Sequence, residues 1–305
     1  MTGRCVPDEI IVAGAQRGAI SCDRRVCQAG LAARGRRRDC HTGTWLGEVA
    51  PPSVAHSSGA RTARHQARDR LPLCRMRCNT AWMTGICLAL ANLKPGTGKT
   101  TSAVWLAHVF AQAGNSVLLV DADPSGSALE WSDLAAMYPG LPPQAAFPFR
   151  IVALPSRELH RRVPEIAQRD DVVIIDAPQL EDHAGIARSA LRYADEILIP
   201  CAPSPIEINR TTPVREEISE VEAARDRPAR SAVLLNRCVA RANSTADARE
   251  ALEGLGYDVL ETAVPRLEVY AQSFGMPIPG IGRDVWRHVA RDLIERCAPL
   301  CSVRT

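Results

Sequence analysis

The sequence predicts an α/β domain built on a mostly parallel, twisted sheet with helices on both faces. Two observations predict it. From Met83 onward, short apolar runs recur with helix-length segments between them, the pattern of successive β-α-β units. Most of these runs are apolar without polar alternation, as strands covered on both faces require.

The expected strands, in chain order, are Ile86–Leu93, Val117–Val120, Arg150–Leu154, Val172–Ile175, Ile197–Ile199, Ala232–Leu235 and Val259–Ala263. Helices fit between them. Thr100–Gln112 follows the first strand, and Ala128–Leu134 follows an Asp-Pro-Ser turn that suits a helix start. Ser156–Gln168, Ala246–Leu255 and Asp284–Cys297 are further helices. Another carries Val214, Ile218 and Val221 at i, i+4 and i+7, one apolar stripe of a 3.6-residue period. No second core and no internal repeat is visible, so residues 83–305 read as a single domain.

Residues 1–82 are a different kind of sequence. They hold fourteen arginines, no lysine and six acids, a net charge of +8, whereas the remaining 223 residues carry a net −5. No strand or helix period is sustained there, and such a segment cannot bury enough apolar surface to offset its ordering entropy. It reads as a disordered, Arg-rich extension: either a basic tail or the product of a start codon chosen too far upstream of Met83. Six of the eleven cysteines lie in it, and no Cys-x-x-Cys pair occurs anywhere. That argues against a redox pair or a four-cysteine zinc site. No apolar run approaches the ~18 residues of a spanning helix, and none suits a signal peptide core. The expectation is a cytoplasmic protein with reduced thiols.

The first strand runs into Leu93-Lys94-Pro95-Gly96-Thr97-Gly98-Lys99-Thr100-Thr101, and this run opens the first helix. Backbone N–H groups at a helix N-terminus form a cradle for phosphate, and Gly96 and Gly98 permit the tight turn it needs. Lys99 is placed to reach the β- and γ-phosphates, and the Thr100 hydroxyl to ligate Mg²⁺. Lys94 and Lys99 are the only lysines in a chain with 35 arginines. A phosphate cradle selects the slim ammonium over the wide guanidinium fork.

The run Lys94-Pro95-Gly96-Thr97-Gly98-Lys99-Thr100 resembles the deviant Walker A motif of the ParA/MinD/nitrogenase-iron-protein class of P-loop ATPases, with Pro95 where glycine is usual. The resemblance implies ATP and Mg²⁺ as cofactors and a homodimer in the ATP state. Lys94 would then be the lysine that reaches the partner's ATP, and Lys99 the one that serves its own. It also implies that the ATP contacts extend from Lys94 through Thr101.

Two carboxylate motifs fit the same reading. Val120-Asp121-Ala122-Asp123-Pro124 resembles the family's Asp-x-Asp-Pro, with Asp123 orienting the attacking water and Asp121 supporting the Mg²⁺ shell; a helix cap is the bland alternative for Asp123. Val172-Val173-Ile174-Ile175-Asp176 reads as a buried strand ending in a carboxylate at the edge where ligands of open α/β sheets collect, so Asp176 is expected to hold Mg²⁺ through water, with a bland strand-ending Asp as the alternative. Asn236, after the strand Ala232–Leu235, would read the adenine edge by resemblance, although turn capping also explains an Asn there. Pro265 lies in the stretch that resembles the family's C-terminal part.

By resemblance to ParA, the ATP dimer would bind DNA without sequence preference, associate with the nucleoid and answer to a ParB-like activator. Arg210, Arg215, Arg237 and Arg241 are candidate DNA contacts, though solvated surface arginines are equally ordinary. A MinD-like membrane regulator would need a basic amphipathic C-terminal helix, whereas Asp284–Thr305 carries Asp284, Asp292 and Glu295; no membrane partner is expected. An ATP-dependent amide or cyclo-ligase with a related loop is the remaining alternative.

Overall fold

The computed structural model describes residues 85–142, 146–225 and 228–302. The reading of residues 1–82 lies outside them. Among the described residues, six strands form one sheet: β1 (Ile86–Leu90), β2 (Val117–Asp121), β3 (Arg150–Ala153), β4 (Val172–Asp176), β5 (Glu196–Cys201) and β6 (Arg230–Leu235). Their order is β3-β2-β4-β1-β5-β6, and every pairing is parallel. Parallel neighbours need crossover connections, and helices supply them. These are α1 (Lys99–Gln112), α2 (Ser127–Ala136), α3 (Leu159–Ile166), α4 (Leu180–Tyr193), α5 (Pro205–Asn209), α6 (Thr211–Glu222), α7 (Ser244–Gly254), α8 (Glu268–Gln272) and α9 (Arg283–Ser302).

The strands are covered on both faces, which is why they lack alternation in the sequence. Successive side chains of β1 still divide between two cores, since strand residues point alternately up and down. Cys87 and Ala89 pack with α3, α4, α6 and α7, while Leu88 and Leu90 pack with α1, α2 and α9. Helix α1 is buried nearly all round, because the sheet lies on one side and α9 on the other. Trp105 of α1 meets Tyr270 edge-on at 4.9 Å and stacks on Trp286 of α9 at 6.4 Å. His108, also on α1, is buried there with neither ring nitrogen hydrogen-bonded among the described residues.

Six of the seven expected strands are present. Val259–Ala263 is not a strand; only a single bridge, Val233 to Val259, ties it to β6. Leu260 N donates to the Val233 carbonyl and Val264 N, just beyond the segment, to that of Leu235, but between them side chains intervene. Arg249 donates to the carbonyls of Val259, Leu260 and Glu261, and Asp292 accepts the Thr262 N–H. A ladder cannot extend where its hydrogen bonds are already committed. Helix α4 was not anticipated, although Leu180, Ala187, Ala190 and Leu191 bury one stripe of it. It is kinked at His183, where φ and ψ leave the helical region.

This topology creates the site. The chain steps from β1 across to β2, returns to β4 beside β1, and then crosses to β5 on the other side. The connection order reverses around β1, and the crevice above its C-terminal end is where open α/β sheets bind ligands.

Candidate phosphate-binding site

The loop from Leu93 to Gly98 joins β1 to α1 at that crevice. Gly96 and Gly98 both have positive φ, +73° and +94°, a region that L side chains rarely adopt. At Gly98 an added Cβ would come within 2.9 Å of the Asn236 amide nitrogen, so the position is closed sterically as well. Gly98 has no side chain to cap the helix it starts. The first N–H groups of α1 are therefore left without a capping side chain, the ordinary setting for an anion.

Below the loop sit three buried ionisable groups. The parallel register places Asp121 of β2 directly beside Asp176 of β4. Lys99 is buried at the head of α1, and the charges of Asp176 and Asp123 act on it; burial lowers its pKa from the ordinary lysine range while the two carboxylates pull it back up. Its Nζ lies 3.4 Å from the Lys94 carbonyl oxygen.

The two aspartates differ in what holds them. Asp121 accepts the N–H groups of Ala128 and Leu129 at 2.9 Å each, and that of Asp123 at 3.3 Å. It caps α2 through two of that helix's orphan donors and fixes the loop carrying Asp123. Asp176 is 1% exposed, and neither of its oxygens has a hydrogen-bond partner among the described residues. Burial pushes its carboxyl up to about 7; the nearby Thr100 hydroxyl lowers it part of the way, and Asp121 raises it further. A buried carboxylate without partners is costly, and native proteins keep one only where something else satisfies it. These oxygens, touched at most by the Thr100 hydroxyl and acted on by the charge of Lys99, fit together with that hydroxyl an oxygen-loving divalent cation. This fit rests on the orphaned atoms themselves. Asp123 is more exposed, and its Oδ1 accepts the Ser125 N–H at 2.9 Å in a local turn.

Lys94 is engaged outside this group of three. Its ammonium is half-exposed and lies 3.2 Å from Glu181 Oε1, in the first turn of α4. The same turn is tied to the loop entry by backbone bonds from Leu180 N to Asn92 O and from Glu181 N to Leu93 O. Glu181 was missed in the sequence because α4 was missed; acids at the start of an apolar-striped segment were the available signal.

The remaining expected residues divide into two groups. Asn236, at the end of β6, is buried and donates from Nδ2 to the Thr97 carbonyl at 2.8 Å, leaving its Oδ1 without a partner among the described residues. Pro265 pairs with Cys238 in an isolated bridge just beyond it. Thr97 is buried and Thr101 half-buried. The four arginines read as DNA contacts do not act alike. Arg210 pairs with Glu207 at 2.8 Å, and Arg215 donates to the Leu255 carbonyl and lies over the Tyr257 ring. Arg237 donates to the Gly96 carbonyl, inside the phosphate loop's own framework. Arg241 is exposed.

A glycine-hinged loop at a helix head, a buried lysine and a free strand-end carboxylate together define a P-loop nucleotide-binding domain. A family model described as the CobQ/CobB/MinD/ParA nucleotide binding domain matches residues 88–278, and the chain belongs to that family. Among curated relatives, the maintenance of carboxysome distribution protein A of Halothiobacillus neapolitanus is 34% identical over 185 residues, covering 60% of this chain and 81% of that protein. The chromosome partitioning protein ParA of Myxococcus xanthus is 26% identical over 265 residues, covering 73% and 93%. Two solved structures share the fold. An ATP complex of a McdA variant from Cyanothece has a TM-score of 0.55 at 18% identity, with 71% of this chain and 97% of that one covered. Cobyrinic acid a,c-diamide synthase from Mycobacterium smegmatis, with a bound ATP analogue and magnesium, gives 0.56 at 19% identity, with 70% and 96% covered.

Proposed function

We propose that this chain is an ATPase of the ParA type: it binds ATP with Mg²⁺, dimerises around the nucleotide, holds DNA without sequence preference and lets go on hydrolysis. The observation that carries the reading is the division of labour between the only two lysines. Lys99 is buried against Asp176 and Asp123, so it serves the pocket of its own chain. Lys94, five residues earlier, has a half-exposed ammonium paired with Glu181 of α4. A loop meant for one subunit's nucleotide has no use for a second, half-exposed ammonium; a nucleotide sandwiched between two subunits does. The Lys94–Glu181 pair is half-exposed and worth only ~0–1 kcal/mol, a hold that a triphosphate can outcompete.

In this mechanism ATP with Mg²⁺ supplies a phosphoanhydride whose leaving charge is partly neutralised. The protein's part is positioning and electrostatics. Lys99 holds its ammonium on the buried side of the cradle. Asp176 and the Thr100 hydroxyl present oxygens to the cation. Asp123, on the loop that Asp121 fixes, takes a proton-bearing contact from the attacking water. Lys94 of the second subunit adds positive charge as the transition state forms, a contribution of the kind worth roughly 10³–10⁵ in rate.

DNA binding, a ParB-like activator and association with the nucleoid are supported by the relatives named for partition and distribution rather than by a basic surface. Those names also suggest that the cargo is either a replicon or a large protein assembly. No helix among the described residues is long and apolar enough to cross a membrane, and the proposed place of action is the cytoplasm.

The test uses the full chain with ATP, with ADP and with Lys94→Ala. Mass by light scattering and retention on random-sequence DNA are recorded for each. The expected result is a DNA-retained dimer with ATP, a monomer with ADP, and ATP binding without dimer-linked turnover for Lys94→Ala. A monomer that ignores DNA in both nucleotides would instead favour an ATP-dependent ligase.

A further inference from the structure

Arg237 occupies an unusual backbone position. Its φ is +54°, in the left-handed region that side chains other than glycine, Asn and Asp seldom adopt. The chain on either side enforces this. Asn236 N donates to the Cys201 carbonyl of β5, and Cys238 N donates to the Val264 carbonyl, so the turn between them has little freedom. Sparsely populated backbone held by its surroundings is a reason to look for function.

The turn changes where two side chains go. In an extended strand, neighbouring residues face opposite ways. Here Asn236 and Arg237 are neighbours, yet both reach the same loop and grip successive carbonyls: Thr97 O at 2.8 Å and Gly96 O at 3.2 Å. A trans peptide plane carries its C=O and the following N–H in opposite directions. Gripping Gly96 O from outside therefore aims the Thr97 N–H inward, and gripping Thr97 O aims the Gly98 N–H inward. Residues 95 and 96 form a turn, but neither amide makes a close, well-aligned bond to another backbone group among the described residues.

We propose that Arg237 is a positioning residue for the triphosphate: its guanidinium holds the Gly96 peptide so that the Thr97 N–H is preset toward phosphate, and the strained turn exists to bring it there. This replaces the expectation that Arg237 contacts DNA. It rests on the reading that the loop binds ATP.

Arg237→Gly makes the test sharp, because glycine tolerates the backbone while the side chain is lost. The full chain and the variants Arg237→Gly, Arg237→Ala and Arg237→Lys are titrated with labelled ATP in Mg²⁺, and their melting temperatures are recorded. Arg237→Gly is expected to melt at or up to a few degrees above wild type and to bind ATP about tenfold more weakly, the scale of one lost charge-assisted hydrogen bond. Arg237→Ala should lose the same affinity without the gain in stability, and Arg237→Lys should recover part of the affinity. Arg237→Gly binding within about twofold of wild type would overturn the proposal, as would a melting temperature well below wild type. A wild-type chain that fails to bind ATP would remove the ATP reading itself, a result distinct from either.

Discussion

The two ends of the sheet treat buried charge in opposite ways. At the N-terminal edge, Glu196 is fully buried at the start of β5, and the parallel register sets Arg230 of β6 beside it. Its Oε1 accepts from Arg296 of α9 at 2.7 Å, its Oε2 lies 3.3 Å from Arg230, and Arg296 goes on to Asp258 at 3.2 Å. This network fastens the last helix to the sheet. At the C-terminal edge, Asp176 is as deeply buried, has no hydrogen-bond partner among the described residues, and faces a lysine whose own charge burial disfavours. At one edge two guanidinium groups share one buried carboxylate and build the fold; at the other a single buried ammonium faces more than one carboxylate, and the balance is left for a ligand. Burial alone does not separate the two cases; the state of the partners does.

Each side of the contrast can be broken separately. Glu196→Ala should have the largest effect on stability, a loss of about 3 kcal/mol in denaturant unfolding, because two partly buried guanidinium groups lose their common partner. Nucleotide affinity should change little, since the network is at the far edge.

Asp176→Asn should do the reverse. The folded-state pKa of Asp176 is raised, to about 7, so the folded chain holds a proton that the unfolded chain releases near the usual carboxylate value. The stability tied to this group is present below about pH 4 and is lost as pH rises through 7. Asp176→Asn should therefore stabilise the nucleotide-free protein at pH 8 by on the order of 2 kcal/mol, with little effect near pH 4, while Mg²⁺ ceases to strengthen nucleotide binding.

The smallest of the three effects concerns His108, between the two ends. Burial pushes its pKa down to about 3, with Arg283 and Arg287 of α9 adding to the shift. Its contribution to stability is present above about pH 6.5 and is lost as pH falls toward 3. Melting curves at pH 7 and pH 5 should show His108→Leu resisting acid better than wild type by about 1 kcal/mol. Equal acid sensitivity would show that His108 does not titrate on unfolding.

The glycine loop, six of the seven strands and the positions of Asp121 and Asp176 at strand ends were legible in the sequence because each depends on local chemistry. Glycines at fixed spacing, β-branched runs and strand-end carboxylates carry their signal within a few residues. What was not legible depended on long-range partners. Val259–Ala263 has the composition of a strand, but Arg249 and Asp292 hold its backbone instead. Asp121 reads in the sequence as support for the Mg²⁺ shell; that its carboxylate also holds the start of α2 depends on a turn that nothing local announces. Arg237 looked like a surface cation, and only the positive φ brings it back onto the loop. Glu181 depended on α4, whose kink at His183 interrupts the helical period where the acids lie.

The central claim is that the turn from Lys94 to Thr100 binds ATP through Lys99. Equilibrium binding of labelled ATP in Mg²⁺ tests it most directly, comparing wild type with Lys99→Ala at matched folding. Wild type should show saturable, single-site binding and the variant none at the same concentrations. Binding of similar strength in both, or in neither, would contradict it.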